Sequence, residues 1–324
     1  MYQRITNNYI NENVLNNLFT NRTTLIDLQR QIASGTKFER PSEDVLSAIT
    51  VLSSNSTLGK IENYIKNIET AKLEIETADR ALLTSLDSVH EARELTIQAL
   101  NATSGTEELN MMAEQIEQII QQIKDLGNTK YGTTYIFGGK ETNSAPYTDP
   151  PTTVDDGEGI YYGGSASGSH EREIEIAEGV TITVNLCGED IFGQYYKWDH
   201  DADDDPTDLQ AVGDGLIATL SKIKEQMESS TPDKDIIRQE MATLDNDLQT
   251  LLTSQATLGS LLARLDITER LHKDDKISVT DIKSGAQDID YAKAISDLKF
   301  QEAALQASLQ VGAQIIKPSL LNYL

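Results

Sequence analysis

Apolar residues recur at every seventh position, without a miss, at Ile61, Ile68, Ile75, Leu82 and Val89. A second series, Ile237, Leu244, Leu251, Leu258 and Leu265, keeps the same interval, with Met241, Leu248 and Leu262 as its companion row. Stripes this narrow and this long mark helices that pack along a coiled-coil seam rather than on a broad globular face. The two series are therefore expected to lie against one another as the halves of a helical rod.

Shorter periodic stretches flank the seams. Leu109, Met112, Ile116, Ile119, Ile123 and Leu126 alternate three and four apart, which predicts a helix over about 107–126 folded back as an antiparallel hairpin. Another helix is expected from about 208 to 227, carrying Leu209, Val212, Leu216, Ile223 and Met227, although Gly213 and Gly215 weaken its start. The chain ends repeat the theme faintly. Leu18, Leu25 and Ile32 stand at sevens among helix-poor asparagines. Near the C-terminus Ile295, Leu309 and Ile316 fall on multiples of seven, with Leu298 and Leu305 on the adjacent row and Leu320 beyond. Each terminal helix is marginal alone and is expected to order only against a partner. Gly35 ends the first, and Ser42, ahead of Glu43 and Asp44, is the expected N-cap of the helix that enters the first seam. After Ile267 the heptads give way to a charged stretch read as a solvated helix or its frayed end, and Pro318 is expected to close the last helix.

In the middle of the chain the period changes from seven to two. Ile174 and Ile176, then Val180, Ile182, Val184 and Leu186, flank Gly179 as a β-hairpin. Residues 135–137 and 160–162 suggest further short strands, and Tyr131, Tyr135, Tyr147, Tyr161 and Tyr162 are read as strand packing, with Trp198 at the domain edge. The predicted fold is mainly α: a long antiparallel coiled-coil-like bundle of the N- and C-terminal halves, a small inserted β-rich domain, and termini disordered or helical only on assembly. Its parts are an N-terminal assembly helix (1–41), the N-terminal half of the rod (42–130), the β-rich insert (131–206), the C-terminal half of the rod (207–284) and a C-terminal assembly helix (285–324).

A formal charge of -25 argues against nucleic acid and against an anionic membrane surface as partners. No run of about 18 apolar residues occurs, and the first residues lack a basic and an apolar region, so export without a cleaved signal, or none, is expected. Cys187 has no intramolecular partner for a disulfide, and the four histidines are scattered. The acidic run 199–208 spaces carboxylates as a calcium loop does, yet Asp204 stands where that loop needs glycine and Gln210 where it needs glutamate, so it is read as a solvated linker. Asn21, Asn55 and Asn101 open glycosylation-type triplets that are read as chance. No nucleotide, zinc or acyl-transfer motif is present, and no catalytic, cofactor or metal site is expected.

Three stretches carry a resemblance. SGTKFERPSED (34–44), TTYIFGGKET (133–142) and the block from Asp288 to Leu324 resemble the flagellin superfamily and, within it, the subunits at the hook–filament junction. The likeness covers roughly 1–145 and 208–324; Val45 departs from it, standing where the family commonly has proline. It implies a non-enzymatic structural subunit that joins hook to filament, without cofactor, exported unfolded by the flagellar type III apparatus. The protein would be cytoplasmic with an export chaperone before export and secreted into the flagellum afterwards. Implied partners are further copies of itself, the neighbouring axial proteins (hook-associated protein 1 and flagellin) and that chaperone, with no nucleic acid and no membrane. The implied assembly and chaperone interface is Leu18, Leu25, Ile32, Ile295, Leu298, Leu305, Leu309, Ile316 and Leu320. A filament subunit and a cytosolic coiled-coil scaffold remain as alternatives.

Overall fold

The computed structural model describes residues 7–101, 105–148, 159–163, 172–199 and 209–321. Its helices are α1 (Asn7–Ser34), α2 (Val45–Asn101), α3 (Thr106–Gly127), α4 (Gly188–Phe192), α5 (Gly215–Glu228), α6 (Lys234–Gln287) and α7 (Tyr291–Leu321). The strands are β1 (Lys130–Tyr131), β2 (Thr134–Tyr135), β3 (Tyr147–Thr148), β4 (Gly159–Tyr162), β5 (Glu173–Ala177), β6 (Val180–Thr183), β7 (Gln194–Asp199) and β8 (Leu209–Asp214). The fold is mainly α with a small β-containing region. The chain divides into a terminal unit, Met1–Ile61 with Asp274–Leu324, and a central unit, Glu62–Lys273.

In the central unit the heptad residues of α2 and α6 are buried in one hydrophobic core that also takes Leu109, Ile116, Ile119 and Ile123 of α3 and Leu216, Leu220 and Ile223 of α5. The α2 series is wider than one row, because Ala71, Ala78, Ser85, Ala92 and Ala99 also repeat at sevens and are buried. Small side chains on this second row let neighbouring helices come close. On α6 only one row is buried, with Met241, Leu248 and Leu262 half-exposed beside it. Ion pairs align the two helices antiparallel: Lys72 Nζ meets Asp266 and Glu269 at 2.5 and 3.0 Å, and Arg93 Nε meets Asp245 at 2.7 Å. Packing of α3 on α5 is tied by Lys224 Nζ to Glu117 at 2.9 Å.

Strands β3, β4, β7 and β8 form one antiparallel sheet in that order, and β5–β6 is the hairpin turning at Gly179. Residues 209–214 are therefore strand, not the start of a helix. The register Gln194↔Asp214 brings Gly193 so close to the Asp214 carbonyl that no β-carbon fits there, and Asp214 then caps α5 by accepting from Gly215 N at 2.8 Å. Two glycines with positive φ, Gly193 and Gly215, are what the turn requires. Tyr147 and Tyr162 are buried beside Phe137 and Phe192, with ring centroids 5.2–6.2 Å apart, so these tyrosines are core. Burial pushes the Tyr147 and Tyr162 hydroxyls upward in pKa. The Tyr161 and Trp198 side chains and the acidic run after Asp199 lie outside the described residues.

In the terminal unit α1 packs on α7. Their stripes are Val14, Leu18, Asn21, Leu25, Leu28 and Ile32 against Ala294, Leu298, Gln301, Leu305, Ser308 and Gly312, spaced alternately four and three apart. At one end Gly35 takes φ 73° beneath the Tyr291 ring, and the connections after α1 and before α7 pair through Thr36 and Asp288. Asp44, not Ser42, caps α2: its carboxylate accepts from Ser47 N at 3.1 Å and Ser47 Oγ at 2.7 Å. Val45 thereby becomes the first helical residue, a position that tolerates proline well. Of the two readings of the charged stretch after Ile267, the helix is the one observed, since α6 continues to Gln287. One further expectation is corrected: α7 passes through Pro318 to Leu321.

Candidate assembly surface

The residues expected to form one interface separate into two rows. Leu18, Leu25, Ile32, Leu298 and Leu305 are half-buried on the α1·α7 seam, where a β-carbon on Gly312 would lie 3.2 Å from Val14 Cγ1 and 3.9 Å from Leu18 Cδ1. Ile295 and Leu309 each follow a seam residue, Ala294 and Ser308, about 100° around the helix from it, and stay open, Leu309 at 54%. The side chains of Ile316 and Leu320 lie outside the described residues. The rod-seam residues Ile61, Ile68, Ile75, Leu82, Val89, Ile237, Leu244, Leu251, Leu258 and Leu265 are all buried.

Several exposed positions are ones the heptads do not mark. Leu15, Phe19 and Ile26 make a second apolar stripe on α1, Val45, Leu46, Ile49 and Leu52 crowd the first two turns of α2, and Phe300 and Val311 face outward on α7. Of the 23 large apolar side chains exposed among the described residues, 15 belong to the terminal unit, which is about a third of the chain. Their four- and seven-residue spacing was present in the sequence but outside the regular series.

Charge is distributed in the opposite sense. The terminal unit holds 11 Lys and Arg against 12 Asp and Glu, whereas the central unit holds 16 against 40, so the net charges are -1 and -24. Close approach of two terminal units therefore meets almost no net repulsion, while exposed apolar side chains gain roughly 1.5–3 kcal/mol each on full burial. Within the terminal unit the few charges are locally paired: Arg30 reaches Asp27, Glu39 and Glu43 at 3.1, 3.7 and 3.4 Å. The Glu39 N–H donates to the Glu43 carboxylate and Ser47 to that of Asp44, holding both below the usual carboxylate range.

Among the described residues no group of three or more His, Cys, Asp or Glu is placed to hold a metal ion, and no helix is long and apolar enough to cross a membrane. A small cavity lined by Glu74, Tyr131, Arg172 and Asn185 has room for about one water. What the terminal unit offers is surface: paired helices with apolar side chains exposed and almost no net charge.

Residues 5–142 match the bacterial flagellin N-terminal helical region. The chain is similar to flagellar hook-associated protein 3: it is 26% identical to that of Escherichia coli K12 over 288 residues, 86% of each chain, and 26% identical to that of Salmonella typhimurium LT2 over 315 residues, 94% of each. A solved hook-associated protein from Vibrio parahaemolyticus shares the fold, with a TM-score of 0.61 at 16% identity over 76% of this chain and 100% of that one.

Proposed function

We propose that this protein is a non-enzymatic structural subunit of the bacterial flagellum at the hook–filament junction, joined to copies of itself and to neighbouring axial subunits through its terminal unit. The observation that carries this is the coincidence, in one unit, of near-zero net charge with most of the exposed large apolar side chains. An apolar face open to water in a free chain is the usual sign of a surface that another protein covers. Before export the open row on α7, Ile295 and Leu309, is the face an export chaperone holds, as an amphipathic helix lying in an apolar groove. The α1·α7 pair then docks on the equivalent pairs of adjacent subunits, while the central unit keeps its own core.

Two substitutions separate the roles. Leu309→Asp places a charge on an open position and leaves the monomer folded, but abolishes association and filament attachment. Leu82→Asp buries an unpaired charge at a fully enclosed position and unfolds the central unit. Thermal melts and sedimentation of both variants decide it: a Leu309→Asp chain that still associates and restores motility to a deletion strain ends this reading.

A further inference from the structure

The α1·α7 seam contains one polar layer. On the described stretch from Val14 to Ile32, and from Ala294 to Gly312, every seam position is apolar or small except Asn21, Gln301 and Ser308. Those three meet. Asn21 Nδ2 donates to Ser308 Oγ at 3.0 Å, and Gln301 Nε2 lies 3.2 Å from both the carbonyl oxygen and Oδ1 of Asn21. Ser308 Oγ donates in turn to the Ala304 carbonyl at 2.8 Å. The bonds are half-buried, in the middle of the seam.

We infer that Asn21, Gln301 and Ser308 are a register lock: they fix which turn of α7 faces which turn of α1, at some cost in stability. The reasoning is one of partners. In the observed register Asn21 lies between Gln301 and Ser308, and its amide is served from both sides. A slip of one heptad either way keeps one of those two residues at most. It sets the other side of the amide against Ala294 or, in the sequence, Ile315. An amide left without a partner in a packed seam costs the desolvation it suffers. The leucines do not discriminate in this way, because Leu18, Leu25, Leu298 and Leu305 repeat at sevens and fit equally well one heptad over. A polar residue at one seam position is a known means of setting register in coiled coils. This goes beyond the assembly reading and holds whether or not the terminal unit meets other subunits.

Disulfide trapping in the full chain, with Cys187→Ser as background, tests it. Val14→Cys with Gly312→Cys reports the observed register, since a Gly312 β-carbon touches Val14. Val14→Cys with Leu305→Cys reports a slip of one heptad. In the parent chain the first pair oxidises within the monomer and the second does not. With Asn21→Leu added, helix content by circular dichroism is kept and the slipped pair rises to at least a tenth of the trapped product. Replacing the other side, Gln301→Leu with Ser308→Ala, has the same effect. If both altered chains trap only the observed register, or if the parent traps both, the lock does not exist.

Discussion

His272 donates its Nε2–H to the carbonyl oxygen of Ile176 across 2.6 Å, joining the long helix α6 to the β5–β6 hairpin. Because a carbonyl only accepts, the proton sits on Nε2, and Nδ1 is enclosed without a partner. The ring stacks on Tyr64 of α2 at 5.5 Å, and Asn67 Nδ2 donates to the Glu175 carbonyl at 2.9 Å. One hairpin is thus held by backbone carbonyls facing both helices of the central unit.

His272→Ala removes the bond and the stack and leaves the Ile176 carbonyl unserved, a loss of about 1–3 kcal/mol. Urea unfolding reports the total. Hydrogen exchange reports the place: amides of 173–183 should lose protection while those of α3 and α5 keep theirs. Unchanged exchange in the hairpin means His272 does not hold it.

The second tether is the ion pair of Arg172, just before β5, with Glu74 of α2. Glu74 is 8% exposed and Arg172 is half-buried, its guanidinium pKa lowered by desolvation. Glu74→Ala strands a partly desolvated cation. With allowance for the solvent that still reaches Arg172, it should cost about 1–3 kcal/mol. Glu74→Ala with Arg172→Ala should cost less than Glu74→Ala alone, because neither charge is then left behind. A double-mutant cycle that is merely additive removes the pair from the account.

The long helices were legible because one physical rule, a seam of buried positions every seven residues, governs Ile61 to Val89 and Ile237 to Leu265 without interruption. Where the rule ran on through polar residues it was harder to see. Ser54, Thr96 and His272 continue the same heptads and are buried, but their polarity hides that the buried row runs on. Leu209 and Val212 fit a helical stripe, yet their neighbour Asp214 is a cap and Gly213 is hemmed in by the Tyr195 ring, which is information only the pairing with β7 supplies. In the candidate surface, apolar residues were visible but their direction was not. Leu298 and Leu309 lie eleven residues apart, about three turns and so nearly on one side of α7, yet Leu298 is half-buried and Leu309 open: the spacing alone does not say which of them α1 covers.

Asp247, on α6, is half-buried and accepts from Thr219 Oγ1 at 2.7 Å. Burial raises its pKa above the ordinary 3.8, assisted by Asp214 and Glu240 nearby. A carboxyl raised in the folded state stabilises the fold most when protonated. That stability is full below the unfolded value near 3.8 and is lost as pH rises through the folded value. Asp247→Asn keeps an acceptor for Thr219 without the charge. Its melting temperature should therefore exceed that of the parent at pH 7, and the difference should shrink as pH falls toward 4. A difference that grows on acidification contradicts the sign.

Salt provides the sharpest test of the division between the units. If copies meet through terminal units carrying -1 each, the main electrostatic obstacle is the -24 on every central unit that association brings along. Such repulsion is felt over roughly 10 Å at 0.1 M salt and about 3 Å at 1 M, whereas apolar contact does not weaken with salt. Association measured by sedimentation should thus strengthen from about 20 to about 500 mM NaCl, by on the order of tenfold, corresponding to about 1.4 kcal/mol. Neutralising Glu69, Glu76, Asp87, Glu91 and Glu94, all exposed on α2, as Gln or Asn should flatten that rise and strengthen association in low salt. A chain that never associates, at any salt, ends the assembly reading itself. A chain that associates more weakly as salt rises leaves assembly standing but assigns it to charged contacts, and with them to the central unit.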